Sequence, residues 1–118
     1  MSPNSTLHTP WSDEITLIWV ESGQAASGFE NQMEHRSTPP LMCDWEDGVS
    51  QSEFYQSMKT GVQATAQAEV NTADYLDFWP AGFTGIRFAE FKGKRYRIIR
   101  SFPQTFDSLT LILTEVIR

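Results

Sequence analysis

From Ile86 to Val116 the chain runs through three short stretches in which apolar and polar residues alternate, separated by turn residues. Alternation puts every second side chain on one face, so such a stretch buries its apolar set only as a β-strand. Ile86-Arg-Phe-Ala-Glu90 and Lys94-Arg-Tyr-Arg-Ile98 flank Phe91-Lys92-Gly93, and Ser108 to Val116 alternates Leu109, Leu111 and Leu113 with Thr110, Ile112 and Thr114. Both faces of that last strand are partly apolar, which suits a closed or covered sheet. A three-residue loop with Gly93 left-handed pairs Ile86 with Ile98, Phe88 with Tyr96 and Glu90 with Lys94. A two-residue loop would instead set Phe88 opposite Arg97 and Arg87 opposite Ile98. Register follows the hydrophobic face, so the three-residue loop is expected, with Arg87, Arg95 and Arg97 on the outside.

The same periodicity appears upstream. Glu14 to Glu21 places Ile15, Leu17 and Trp19 on one face, and Leu41, Cys43 and Trp45 share one side of a second short strand. Val62, Ala64, Ala66, Ala68 and Val70 alternate strictly with polar residues, which outweighs the helix preference of alanine. Ser50-Gln-Ser-Glu53 has capping-box spacing, Phe54 and Met58 lie at i and i+4, and Gly61 is a suitable stop, so a short helix is expected over 51–60. Residues 22–40 and Thr72 to Thr84 lack periodicity and read as two long loops. The 118 residues suffice for one modest core. The expectation is a mainly β fold, a small antiparallel β-barrel with one short helix and long loops. It spans 14–118 as a single domain behind a flexible N-terminal arm over 1–13.

Charge is unevenly spread. Residues 1–80 carry twelve acids against Arg36 and Lys59 alone, net −10, while residues 81–118 carry seven cations against three acids, net +4. Besides unequal solvated faces, this permits a subunit whose acidic part docks on the basic part of a neighbour, a heterologous contact that can close into a ring. The overall charge of −6 disfavours a general nucleic-acid binder. The single cysteine, Cys43, forms no internal disulfide and fits a reducing compartment. No apolar run approaches the ~18 residues of a membrane span, and Met1 to Trp11 lacks the regions of a signal peptide.

Catalytic patterns fail in turn. His8 and His35 have no partner at ligand spacing, and Cys43 reads as a buried apolar residue. Gly23 to Gly28 is followed by Phe29-Glu30 where a phosphate loop needs Lys-Ser/Thr, and Asp44-Trp-Glu-Asp-Gly48 lacks the calcium-loop spacing. No enzyme activity is expected, and no catalytic residue, cofactor or metal is assigned. Most aromatic residues read as core, with Trp11, Trp79 and Phe83 in loops as possible contacts. The basic hairpin with Phe88, Phe91 and Tyr96 keeps open a nucleic-acid-binding barrel in which only Phe91 is free to stack.

The order Val49-Ser-Gln-Ser-Glu-Phe-Tyr-Gln56, Gly61, Asp74-Tyr75 and Glu90-Phe-Lys-Gly-Lys-Arg-Tyr-Arg-Ile-Ile-Arg100 resembles the head–tail joining (head-closure, or stopper) proteins of long-tailed bacteriophages. The likeness covers about residues 14–117. Gly48-Val49-Ser50 departs from the commoner Ser-Val-Ser, Phe91 takes a position often held by Tyr, and the Thr72–Thr84 loop is expanded. The resemblance implies a virion neck protein, made in the host cytoplasm, with no catalytic chemistry. It would assemble as a ring of identical copies, a dodecamer by portal symmetry, beneath the portal and adaptor. It would contact the tail or its completion protein and continue the channel for packaged DNA. Another neck ring protein, such as a tail-completion or tail-terminator protein, fits nearly as well.

On that basis Asp44, Glu46 and Asp47, within Leu41–Glu53, are the candidate channel gate, their carboxylates repelling phosphate, and a barrel edge followed by a helix cap is the equal alternative for that segment. Arg87, Arg95, Arg97 and Arg100, with Trp79 and Phe83, are the candidate contacts to the next subunit or the adaptor.

Overall fold

The computed structural model describes residues 11–24, 30–50, 52–53, 56, 59 and 61–117. Seven strands follow one another: β1 (Asp13–Gln24), β2 (Glu30–Arg36), β3 (Leu41–Asp47), β4 (Ala66–Asn71), β5 (Phe88–Phe91), β6 (Lys94–Thr105) and β7 (Ser108–Glu115). A short helix, α1 (Thr72–Phe78), lies between β4 and β5. Six strands close an antiparallel barrel in the order β1-β3-β4-β7-β6-β5, with β5 returning to pair with β1. The mainly β, small-barrel expectation holds.

Closure follows from the alternation. Ile15 and Leu17 of β1, Cys43 of β3, Ala66, Ala68 and Val70 of β4, and Leu111 and Leu113 of β7 all turn inward and are essentially buried. The small residues of β4 and Ala89 of β5 share this core with the rings of Tyr75, Trp79, Phe91 and Tyr96. Large and small side chains thus interleave, which lets a narrow barrel fill without voids. The outer face is not wholly polar. Ile18 and Ile112 point outward and yet are fully buried, Ile112 as the two-sided apolar pattern of β7 requires.

β1 does double duty. Residues Asp13 to Ile15 pair with β3, and the same edge further on, from Ile18 to Gln24, pairs with β2. Between the two, Ser37 fills the gap: its amide donates to the Leu17 carbonyl and its hydroxyl accepts from the Leu17 amide, both at 2.9 Å. Removing that hydroxyl leaves a buried amide without a partner. Ser37→Ala is therefore expected to cost about 1–2 kcal/mol, read as a lowered urea midpoint at constant slope.

Three expectations are corrected. Residues 22–40 are not one loop, because β1 continues to Gln24 and β2 pairs back on it. This hairpin runs on past the strands of the barrel and needs no apolar alternation. The second expected loop contains α1, capped by the Asn71 side chain, which accepts from the Asp74 amide at 3.0 Å. The helix stops at Trp79, whose extended conformation suits the residue before Pro80.

The third correction is the β5–β6 register, which is that of the two-residue loop. Phe88 faces Arg97, Ala89 faces Tyr96, Glu90 faces Arg95 and Phe91 faces Lys94. Lys92 and Gly93 both have positive φ (49° and 81°), the signature of a type I′ turn. Ala89 and Phe91 point inward, while Phe88 lies outside, so the expected hydrophobic face was shifted by one residue. Over 51–60, Ser52, Glu53, Gln56 and Lys59 are helical, and the Ser50 hydroxyl accepts from the Glu53 amide at 3.2 Å. The remainder of that stretch, like His8 and most of the expected N-terminal arm, lies outside the described residues.

Candidate functional site

The charged and aromatic residues singled out in the sequence fall on three regions of the barrel. The first is the mouth at the start of β1. Trp45 stacks on Phe91 with ring centroids 3.9 Å apart and planes 5° off parallel, and Tyr96 meets Trp45 edge-on at 4.9 Å. Phe91 is thus spent on the core and offers no free face for stacking a base. Burial, followed by the nearby charges of Glu115 and Asp47, pushes the Tyr96 phenol above its ordinary pKa, so it stays neutral. Asp47 accepts from the Trp45 indole at 2.9 Å, and Lys92 lies over the Phe91 ring at 5.3 Å.

The opposite mouth is closed by rings. Tyr75 and Phe78 meet Trp79 edge-on, Phe83 stacks on it at 5.8 Å, and Arg87 lies over the Trp79 ring at 5.1 Å. Trp79 is buried and Phe83 half-buried, so the expectation that Trp79 is an exposed loop contact is corrected. Arg87 is held over these rings and does not stand opposite Arg97. The sequence carried a signal for this closure, namely Asn71 three residues before Asp74, an N-cap spacing that starts α1 and delivers Tyr75 inward. His35, set aside as a ligand, stacks on Trp19 at 4.1 Å and bonds Glu21 at 2.9 Å.

The third region is an ionic latch on the outer face. Arg95 donates to Glu34 at 2.8 Å, while Arg36 pairs with Glu34 at 3.1 Å and with Glu90. These side chains tie β2 to β5 and β6 over Ile18 and Phe88. The Arg95 hydrogen bond holds the Glu34 carboxyl below its ordinary value, more than offsetting the opposing effect of burial. A lowered value in the folded state means stability present above pH 4.5 and lost as pH falls through the folded value. A double-mutant cycle over Glu34→Gln and Arg95→Met is expected to give a coupling of about 0.5 kcal/mol, shrinking in 0.5 M salt, as for exposed pairs generally.

Asp44 and Glu46 face outward on β3, and Asp47 stands at the first mouth. All three belong to the part of β3 that pairs with β4, while β1 pairs only with Leu41 to Cys43 on the other edge. The three candidate gate residues thus lie on a strand of the barrel wall and not on a loop. Arg100 pairs with Glu53, fastening the helical residues around 53 to β6. Of the four candidate arginines, only Arg97 is exposed without an ion pair among the described residues.

Among the described residues no group of three or more His, Cys, Asp or Glu side chains could hold a metal ion, and no helix is long and apolar enough to cross a membrane. No family model matches the chain, and no curated protein matches it in sequence.

Proposed function

We propose that this chain is a structural ring protein of the neck of a long-tailed phage. It closes the filled head beneath the portal and adaptor and joins it to the tail, with DNA passing through the ring. The observation that carries the reading is the placement of its motifs. The Lys92-Gly93 hairpin and the last strand belong to one closed barrel, and the Arg100 ion pair fastens the capped helical segment around Glu53 to it, in the order of the head–tail joining pattern. The barrel leaves uncompensated charge on its outside, as a protein that works by fitting to neighbours requires. Phe91, which a single-strand binder of this design needs at its surface, is buried.

The test is assembly. The purified protein is mixed with the portal and adaptor proteins encoded in the same genome and imaged by electron microscopy. The reading expects an added ring on the adaptor face, coaxial with the portal. Its absence there, and from virion necks, overturns the reading.

A further inference from the structure

In the closed barrel, β3 and β4 lie three strands away from β6 and β5, so these two pairs form opposite walls. The β3–β4 wall is acidic. Glu14 pairs with Met42, and Asp44 stands directly across from Glu69, two like charges in one cross-strand pair. Such a pair is unfavourable unless a cation relieves it. Beside it, a cleft of about 380 Å³ opens between the segment from Thr38 to Met42 and α1, with Asp74 and Asp77 on its rim and Pro39, Pro40 and Phe78 in its lining. Asp44, Asp74 and Asp77 are exposed, and none makes an ion pair among the described residues.

The β5–β6 wall carries the complement. Lys92 and Lys94 flank Gly93 at the tip of a tight turn, both exposed, and Arg97, three residues on along β6 and on its outer face, is also without an ion pair among the described residues. The turn is at the Asp13 end of the barrel, while the cleft, beside Ser37 and the start of α1, is at the other. Convex basic tip and concave acidic cleft are therefore antipodal on the molecule.

We propose that the Lys92-Gly93-Lys94 turn of one copy seats in the cleft edged by Asp74 and Asp77 of the next. The inference rests on the ring reading and supplies its subunit contact. Two different patches on opposite sides make a heterologous contact. Repeated with a small rotation it closes a ring, whereas a two-fold dimer would need one self-complementary patch. The lysine stems cover the proline and phenylalanine lining, and their ammonium groups reach the aspartates.

Two variants test it. Lys92→Asp with Lys94→Glu reverses the turn, and aspartate tolerates the positive φ at position 92. Asp74→Lys with Asp77→Lys reverses the cleft. Each variant alone is expected to lose assembly under conditions where the wild type forms rings, weakening by roughly tenfold or more per reversed pair. Mixed one to one, the two are expected to regain rings of alternating subunits, since each turn again meets a cleft of opposite charge.

Rescue on mixing also shows that both variants are folded. If either variant alone assembles like the wild type, or if two variants of unchanged melting temperature fail to rescue each other, the contact is wrong and the ring reading stands. If the wild type never associates, alone or on the adaptor, both fall together.

Discussion

Replacing Tyr75 by Ala is expected to lower folding stability by about 3–5 kcal/mol. The side chain is 1% exposed, the largest of the fully buried residues, and it packs edge-on against Trp79 at 5.6 Å. It is delivered by α1 across the end of the barrel where no strand can close the core. Truncation removes the ring from an apolar site and leaves a cavity between Trp79 and the inward residues of β4, which cannot collapse because the strands around it are paired. A domain of this size has roughly 5–15 kcal/mol in total, so the variant should be close to unfolded at 37 °C. Urea unfolding measures it as a lower midpoint at constant slope. Leu76→Ala, one residue on and 57% exposed, is the control and should change little. Equal effects at the two positions would mean that α1 does not plug the barrel.

The Cys43 thiol should be about a thousandfold less reactive in the folded protein than in the unfolded chain. Burial, followed by the charges of Asp13 and Asp44, pushes it from 9.0 up to about 12. At pH 8 the thiolate fraction falls by about three powers of ten, and the thiolate is the species that reacts. Alkylation in native buffer against 8 M urea measures the ratio, and a fast native reaction would remove Cys43 from the core. Stability should respond with the opposite sign to that of Glu34. Between pH 9 and 12 the unfolded chain releases the thiol proton while the folded one keeps it, so stability falls by about 1.4 kcal/mol per unit. A Cys43→Ala variant should lack that part of the slope.

Strand alternation made the barrel legible, because inward positions on β1, β3, β4 and β7 are apolar one by one. The β5–β6 register was not legible for a specific reason. Ala89, a weak apolar signal, is the residue that faces the core, whereas the bulky Phe88 lies outside beneath Arg95. Hydrophobicity pointed to the wrong face, and the turn pair Lys92-Gly93 carried the better information. The hairpin of β1 with β2 was hidden because strands that serve no core need no alternation. α1 was hidden behind Trp79-Pro80 and Gly82, although Asn71 and Asp74 mark its start.

The candidate site was legible only as charge. Net asymmetry between the two parts of the chain foretold opposed surfaces, but not which cations remain available. Arg95 is neutralised by Glu34, 61 positions earlier, and Arg100 by Glu53, 47 positions earlier. Partners so remote in sequence meet only once the barrel has closed. Lys92, read as a loop residue, and Lys94, read as a strand residue opposite Glu90, are left without an ion pair among the described residues.

One strand of twelve residues, β1, is both a stave of the barrel and the rail of the outer hairpin, about 40 Å end to end. There is no joint between the two. Tension applied to the hairpin must pass along continuous backbone into the ladders with β3 and β5, loading them in shear, so whatever grips it grips the whole barrel.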